Sequence, residues 1–152
     1  MTQSELCVMD SVESVEKEAE RRVRVHLGSV GVTELSPSIP NFDAALRLLE
    51  LRSRDQQLIP VVVDKGCIIE IMNAFEDTPT VMKEDVNLGA HRVFFANHAG
   101  VYYLKHAHPK YAAIKGALEE AMVHRKLLKI VHRLGHGIIA TYQQGADTRG
   151  PI

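Results

Sequence analysis

Val8, Val12, Val15, Ala19 and Val23 recur at steps of four, three, four and four, the spacing of one helical face. This pattern predicts a first helix over 10–27. Asp10 followed by Glu13 resembles a capping box, acids fill the first turn, and Arg21, Arg22 and Arg24 fill the last. Gly28 would stop it. Pro37 and Pro40 then forbid a helix, leaving a connector with a short strand at 30–35. Asn41 opens a second helix over 42–54, with Phe42, Ala45, Leu46 and Leu49 on its apolar face.

The middle of the chain reads as strands. The β-branched run 58–63, the turn Asp64-Lys65-Gly66 and the run 67–72 predict a hairpin. Residues 73–89 are polar and broken by Pro79 and Gly89, so a loop is expected. Residues 91–96 and 101–106 predict a second hairpin, with Phe94, Phe95, Tyr102 and Tyr103 as aromatic cross-strand partners. Pro109 suits the first position of a long helix reaching Leu134, and 137–144 reads as a last strand.

That long helix changes its buried side. Tyr111, Ile114, Leu118, Ala121 and Met122 share one arc, which after Val123 is taken over by Arg125, Lys129 and His132. Leu127, Leu128, Ile130, Val131 and Leu134 lie on the other side. With no Pro or Gly to break it, a rod whose far half docks on a second copy accounts for the change. The expected fold is α+β: an antiparallel sheet of two hairpins plus a C-terminal strand, packed by two N-terminal helices and one long helix. It forms a single domain over 1–152, with loose termini at 1–9 and 145–152, and a homodimer through the long helix. No internal repeat reads from the sequence.

Composition changes this picture little. Of 152 residues, 45% are hydrophobic and 24% charged, ordinary for a globular chain, and no apolar run approaches a membrane span. The acidic N-terminus lacks the features of a signal peptide, and Cys7 and Cys67 have no paired spacing, so a cytoplasmic setting is expected. Charge is uneven. Residues 1–85 hold nine Lys and Arg against sixteen Asp and Glu, whereas 86–152 hold nine against three. A basic C-terminal half suggests a phosphate-bearing partner or nucleic acid.

The candidate chemistry centres on "LKHAHPKYAAIKG", residues 104–116. If Pro109 begins a helix, His106 and His108 sit near its positive end, flanked by Lys105 and Lys110, and form a seat for an anion. Arg125, Lys126, Lys129 and Arg133 extend that surface along the helix. The function expected from these residues is a non-catalytic binding or regulatory protein. It self-associates and engages an anionic partner: nucleic acid, nucleotide or acidic protein. The alternative is a small histidine-dependent metal hydrolase. His106 and His108, two apart on a strand, would point to one side and share one divalent metal, zinc first. His91, His98, His132 and His136 are the candidates for a third ligand. Nucleotide-loop, serine-hydrolase and HExxH zinc motifs are all missing.

Overall fold

The computed structural model describes residues 5–152. It is mainly β, with 49% strand and 19% helix, in two helices and three sheets. This corrects the α+β expectation of one sheet packed by three helices. The chain divides into two compact units, Met1–Met72 with Thr148–Ile152, and Asn73–Asp147. Each carries its own buried core.

The first unit runs β1 (Glu5–Asp10), β2 (Val12–Ala19), β3 (Arg22–Leu27), β4 (Gly31–Leu35), α1 (Phe42–Asp55), β5 (Ile59–Asp64) and β6 (Cys67–Ile71). β1 and β2 are two halves of one strand bent at Asp10-Ser11. β2 pairs with β3, β3 with β4, β4 in parallel with β6, β6 with β5, and β5 with β1. With the bent strand supplying both β1 and β2, the two halves pair near opposite ends of one sheet, β1 with β5 and β2 with β3. Val12, Val23, Val25, Leu35, Val61 and Ile68 form its core, to which α1 adds Phe42, Ala45 and Leu49.

The predicted helix over 10–27 is therefore a bent strand and a hairpin. Its valines meet a helical spacing, but Val23, Val25 and Leu27 alternate inward with Arg22, Arg24 and His26 between them, which is a strand period. The turn at Glu20-Arg21 puts Arg21 at φ 56°, and Ala19 then pairs with Arg22. Arg21 reaches the Pro37 carbonyl and lies 4.6 Å over the Phe42 ring.

The second unit runs β7 (Asn73–Asp77), β8 (Pro79–Asp85), β9 (Ala90–Phe95), β10 (Tyr102–Lys105), α2 (Tyr111–His124), β11 (Leu128–His132) and β12 (Ile138–Gln143). The segment read as a loop over 73–89 is thus another bent strand. Pro79 sits at the bend, where the pairing with β9 shifts register, a place that asks little of a backbone N–H. The long helix of 109–134 is cut in two. α2 stops at His124, Arg125 closes it in the left-handed region at φ 53°, and residues 128–132 form β11 between β7 and β12. The rotated apolar side was a change of period, and the rod that was to carry a homodimer does not exist. The second helix, both hairpins, the 30–35 strand and the final strand stand as expected. β13 (Gly150–Pro151) returns to the first unit beside β1. Residues 5–9 and 150–151, expected to be loose, are therefore paired strands; residues 1–4 lie outside the described residues.

The two units repeat one design. β7-β8-β9-β10-α2-β11-β12 follows the order β1-β2-β3-β4-α1-β5-β6. The register repeats too. Val12 opposite Leu27 and Pro79 opposite Phe95 are each followed by a bulge, and then Lys17 faces Val23 as Glu84 faces His91. A second bulge follows Val62 in one and Val131 in the other. Both helices have 14 residues and end on a left-handed non-glycine residue, Gln56 or Arg125. At both strand bends a fully buried aspartate holds the turn two strands on, β3–β4 in one unit and β9–β10 in the other. Asp10 accepts from the N–H groups of Ser11, Ser29 and Val30, and Asp77 from those of Thr78 and Asn97. Each helix anchors to its unit's core through a leucine that is 0% exposed, Leu49 or Leu118. Leu49→Ala and Leu118→Ala are each expected to lower the unfolding free energy by about 2–5 kcal/mol, read by urea titration. No helix among the described residues is long and apolar enough to cross a membrane.

Candidate metal centre

Seven of the eight histidines lie in the second unit. Three side chains there bring ligand atoms within 4.8 Å of one another: Glu84 of β8, His91 of β9 and His106 just after β10. The sheet explains the grouping. Glu84 and His91 are direct cross-strand partners, and Leu104 pairs with His91 from the other side, so the chain leaving β10 delivers His106 beside both.

His91 is buried, whereas Glu84 is well exposed and His106 about one-third exposed. His106 Nε2 lies 3.5 Å from Glu84 Oε1, and this nitrogen is buried without a hydrogen-bond partner. The two imidazole rings are 5.0 Å apart at 74°. His91 Nε2 is 2.5 Å from the Tyr111 hydroxyl, and the Tyr111 ring stacks on His91 at 5.6 Å. Burial holds His91 below the usual imidazole range. The neighbouring His106 adds to this, and Glu84 opposes it. A neutral imidazole is the form that ligates a metal.

The histidine pair of residues 106 and 108 does not act as a pair. His108 Nδ1 accepts the Lys110 backbone N–H at 2.9 Å, and its Nε2 meets the Ile139 carbonyl, also at 2.9 Å. One nitrogen must accept and the other donate, so His108 is spoken for on both sides and pins the start of α2 to β12. His106 goes instead to Glu84 and His91.

Of the other histidines weighed as third ligands, His98, His132 and His136 gather elsewhere in the same unit. His98 Nδ1 lies 2.6 Å from Asp77 Oδ2 and its ring stacks on Phe75 at 4.0 Å. His136 stacks on Tyr102 at 4.4 Å, and His132 meets Phe75, Tyr102 and His136 edge-on. Burial holds His132 below its ordinary value. The Arg133 carbonyl opposes this, while His136 and His98 reinforce it. A histidine harder to protonate when folded takes up fewer protons than in the unfolded chain. Its stabilising contribution is complete above about pH 6.5 and is lost as pH falls through the native value. Thermal midpoints are expected to drop on acidification below that point, and His132→Val, which installs the residue of the first unit (Val63), should flatten the drop.

The basic residues are spread over several elements of the second unit. Lys126 is bonded to Glu120 at 3.2 Å and shares a shallow depression with Arg125. Lys129 lies in β11 opposite Glu76. Arg133 belongs to the turn after β11, lining a different cavity with His132 and His136. Lys105 ends β10 and Lys110 precedes α2, both exposed. Cut at its own boundaries, the second unit carries nine Lys and Arg against seven Asp and Glu, because β7 and β8 bring in Glu76, Asp77, Glu84 and Asp85.

Glu84 is one of several acids that no spacing singles out, on a polar bent strand that reads as a solvated loop, and His91 was one candidate among four. The signal that finds both is the internal repeat. The first unit has Lys17, Val23 and Pro37 where the second has Glu84, His91 and His106, so the shared scaffold needs none of the three. No family model, curated protein or solved structure matches the chain.

Proposed function

We propose that the protein binds one divalent transition-metal ion, zinc first, through Glu84, His91 and His106. The observation that carries this is the buried, unbonded His106 Nε2 beside a carboxylate and a second imidazole. Leaving such a nitrogen without a partner costs free energy that a metal bond would recover. Two imidazoles and one carboxylate are a known ligand set for zinc, roughly 3.4 Å apart when tetrahedral. The His106–Glu84 pair, at 3.5 Å, is already at that spacing, and the exposed Glu84 side chain is free to swing. These ligands leave the metal room for further donors, and a metal-bound water would be the nucleophile of a small metal-dependent hydrolase. An anionic ligand then enters at this centre, by way of the metal.

Protein purified without added metal should retain zinc or a related ion. Metal-free protein titrated with zinc chloride should bind one ion per chain with a Kd below about 1 μM, more than about 8 kcal/mol of binding free energy. Absence of saturable heat at micromolar protein, together with absence of retained metal, would overturn this function.

A further inference from the structure

We infer, resting on the metal-binding reading above, that Tyr111 is the fourth donor of the centre and enters it as a phenolate. The comparison between the units isolates this atom. α1 begins with Phe42 and α2 with Tyr111, each packed on its core. The scaffold thus needs an aromatic ring there, and the second unit adds only a hydroxyl. That oxygen lies 2.5 Å from His91 Nε2, and its ring stands edge-on to His106 at 5.4 Å.

The hydroxyl is also held in place. The Tyr111 N–H donates to the His108 carbonyl at 3.0 Å, while the His108 ring ties the Lys110 N–H to the Ile139 carbonyl. The first unit has the apolar Ile39 at the position of His108. The two histidines of the HAH stretch therefore divide the work: His106 is a ligand, and His108 positions the tyrosine. Lys115 and Glu119, 3.7 Å apart one and two turns along α2, are the other charges near His91. They offset one another.

The binding step balances. The Tyr111 O–H gives its proton to solvent, its hydrogen bond to His91 breaks, and an oxygen–metal bond forms. One carboxylate and one phenolate neutralise a divalent ion, which suits a partly buried site. The donor set becomes two nitrogens and two oxygens, so water or an anion enters as a fifth ligand. That widens the metals accepted toward copper(II), which favours four N and O donors in a plane.

The test is titration of metal-free wild-type and Tyr111→Phe protein with copper(II) chloride and with zinc chloride at neutral pH. Wild type should develop a visible phenolate-to-copper absorption band and release one more proton per zinc than the variant, measured calorimetrically in buffers of different ionisation heat. Tyr111→Phe should show no such band and bind about 10–100-fold more weakly. The band and the proton count are read on wild type itself, so they stand whether or not the variant folds. Metal binding by wild type without the band or the extra proton would overturn the tyrosine assignment alone. No metal binding by wild type would overturn the metal centre beneath it.

Discussion

Asp77→Ala is expected to lower the unfolding free energy by about 3–5 kcal/mol, a large share of the roughly 5–15 kcal/mol that keeps an ordinary domain folded. The side chain is 0% exposed and takes bonds from the Thr78 N–H, the Asn97 N–H, the Asn97 amide and His98. Alanine strands those donors at the β7–β8 bend and in the turn between β9 and β10, each at about 1–3 kcal/mol when water cannot reach it. Asp10→Ala should do the same to the first unit, where the donors are Ser11, Ser29 and Val30. The effect has a pH signature. Burial pushes the Asp77 carboxyl up, but the bonds from His98, Thr78 and Asn97 outweigh it and hold the group below its ordinary value. The native state then takes up the proton less readily than the unfolded chain. The contribution is complete above about pH 3.9 and disappears as pH falls through the native value. Asp77→Asn should lose that acid limb in a series of chemical unfolding curves. An alanine variant as stable as wild type would mean the buried carboxylates do not hold the bends.

The second large effect is loss of metal by transplanting the first unit's residues into the second. Glu84→Lys with His91→Val places the Lys17–Val23 cross-strand pair in the register it already occupies elsewhere in the chain. Strand pairing should survive, and His91→Val removes a buried polar group from the centre of a three-stranded sheet. Zinc affinity, in contrast, should fall by more than about 100-fold. Two of three donors are gone and a cation stands in their place, whereas losing even an outer partner of a ligand costs 10–100-fold. Calorimetry with zinc and unfolding curves in chelator separate the two properties. Retained zinc binding in a folded double variant would exclude the proposed ligands.

Much of this architecture could be read from residues, and the failures share a cause. The run 58–63 and the aromatic hairpin carry strand composition on both sides of a turn, so their pairing was legible. α1 shows its apolar face plainly. The misread segments are those in which helical and strand periods coincide over a few residues. Ala121, Met122, Leu127 and Leu128 continue a helical pattern, and the usual stop signal is missing. Arg125, and Gln56 in the first unit, take the left-handed cap that glycine normally fills. β7 and β8 face solvent along much of their length and bend at a proline, so they carry neither alternation nor continuity. His106 was visible as half of a motif. Its partners Glu84 and His91 could be chosen only once cross-strand register was known, because strand pairing acts over distances the local pattern does not record.

The doubled design also shapes how this chain must find its native state. Two stretches in one molecule prefer the same bends, bulges and neighbours, so β1 can meet the mate of β7 and the reverse. Such exchanges satisfy backbone hydrogen bonds while misplacing side chains. What disfavours them is the divergence of the pairing surfaces. An aromatic, histidine-bearing wall would oppose an aliphatic one, and lysine would replace glutamate opposite a histidine. The residues that set the second unit apart for ligand chemistry thus also act as address labels during assembly.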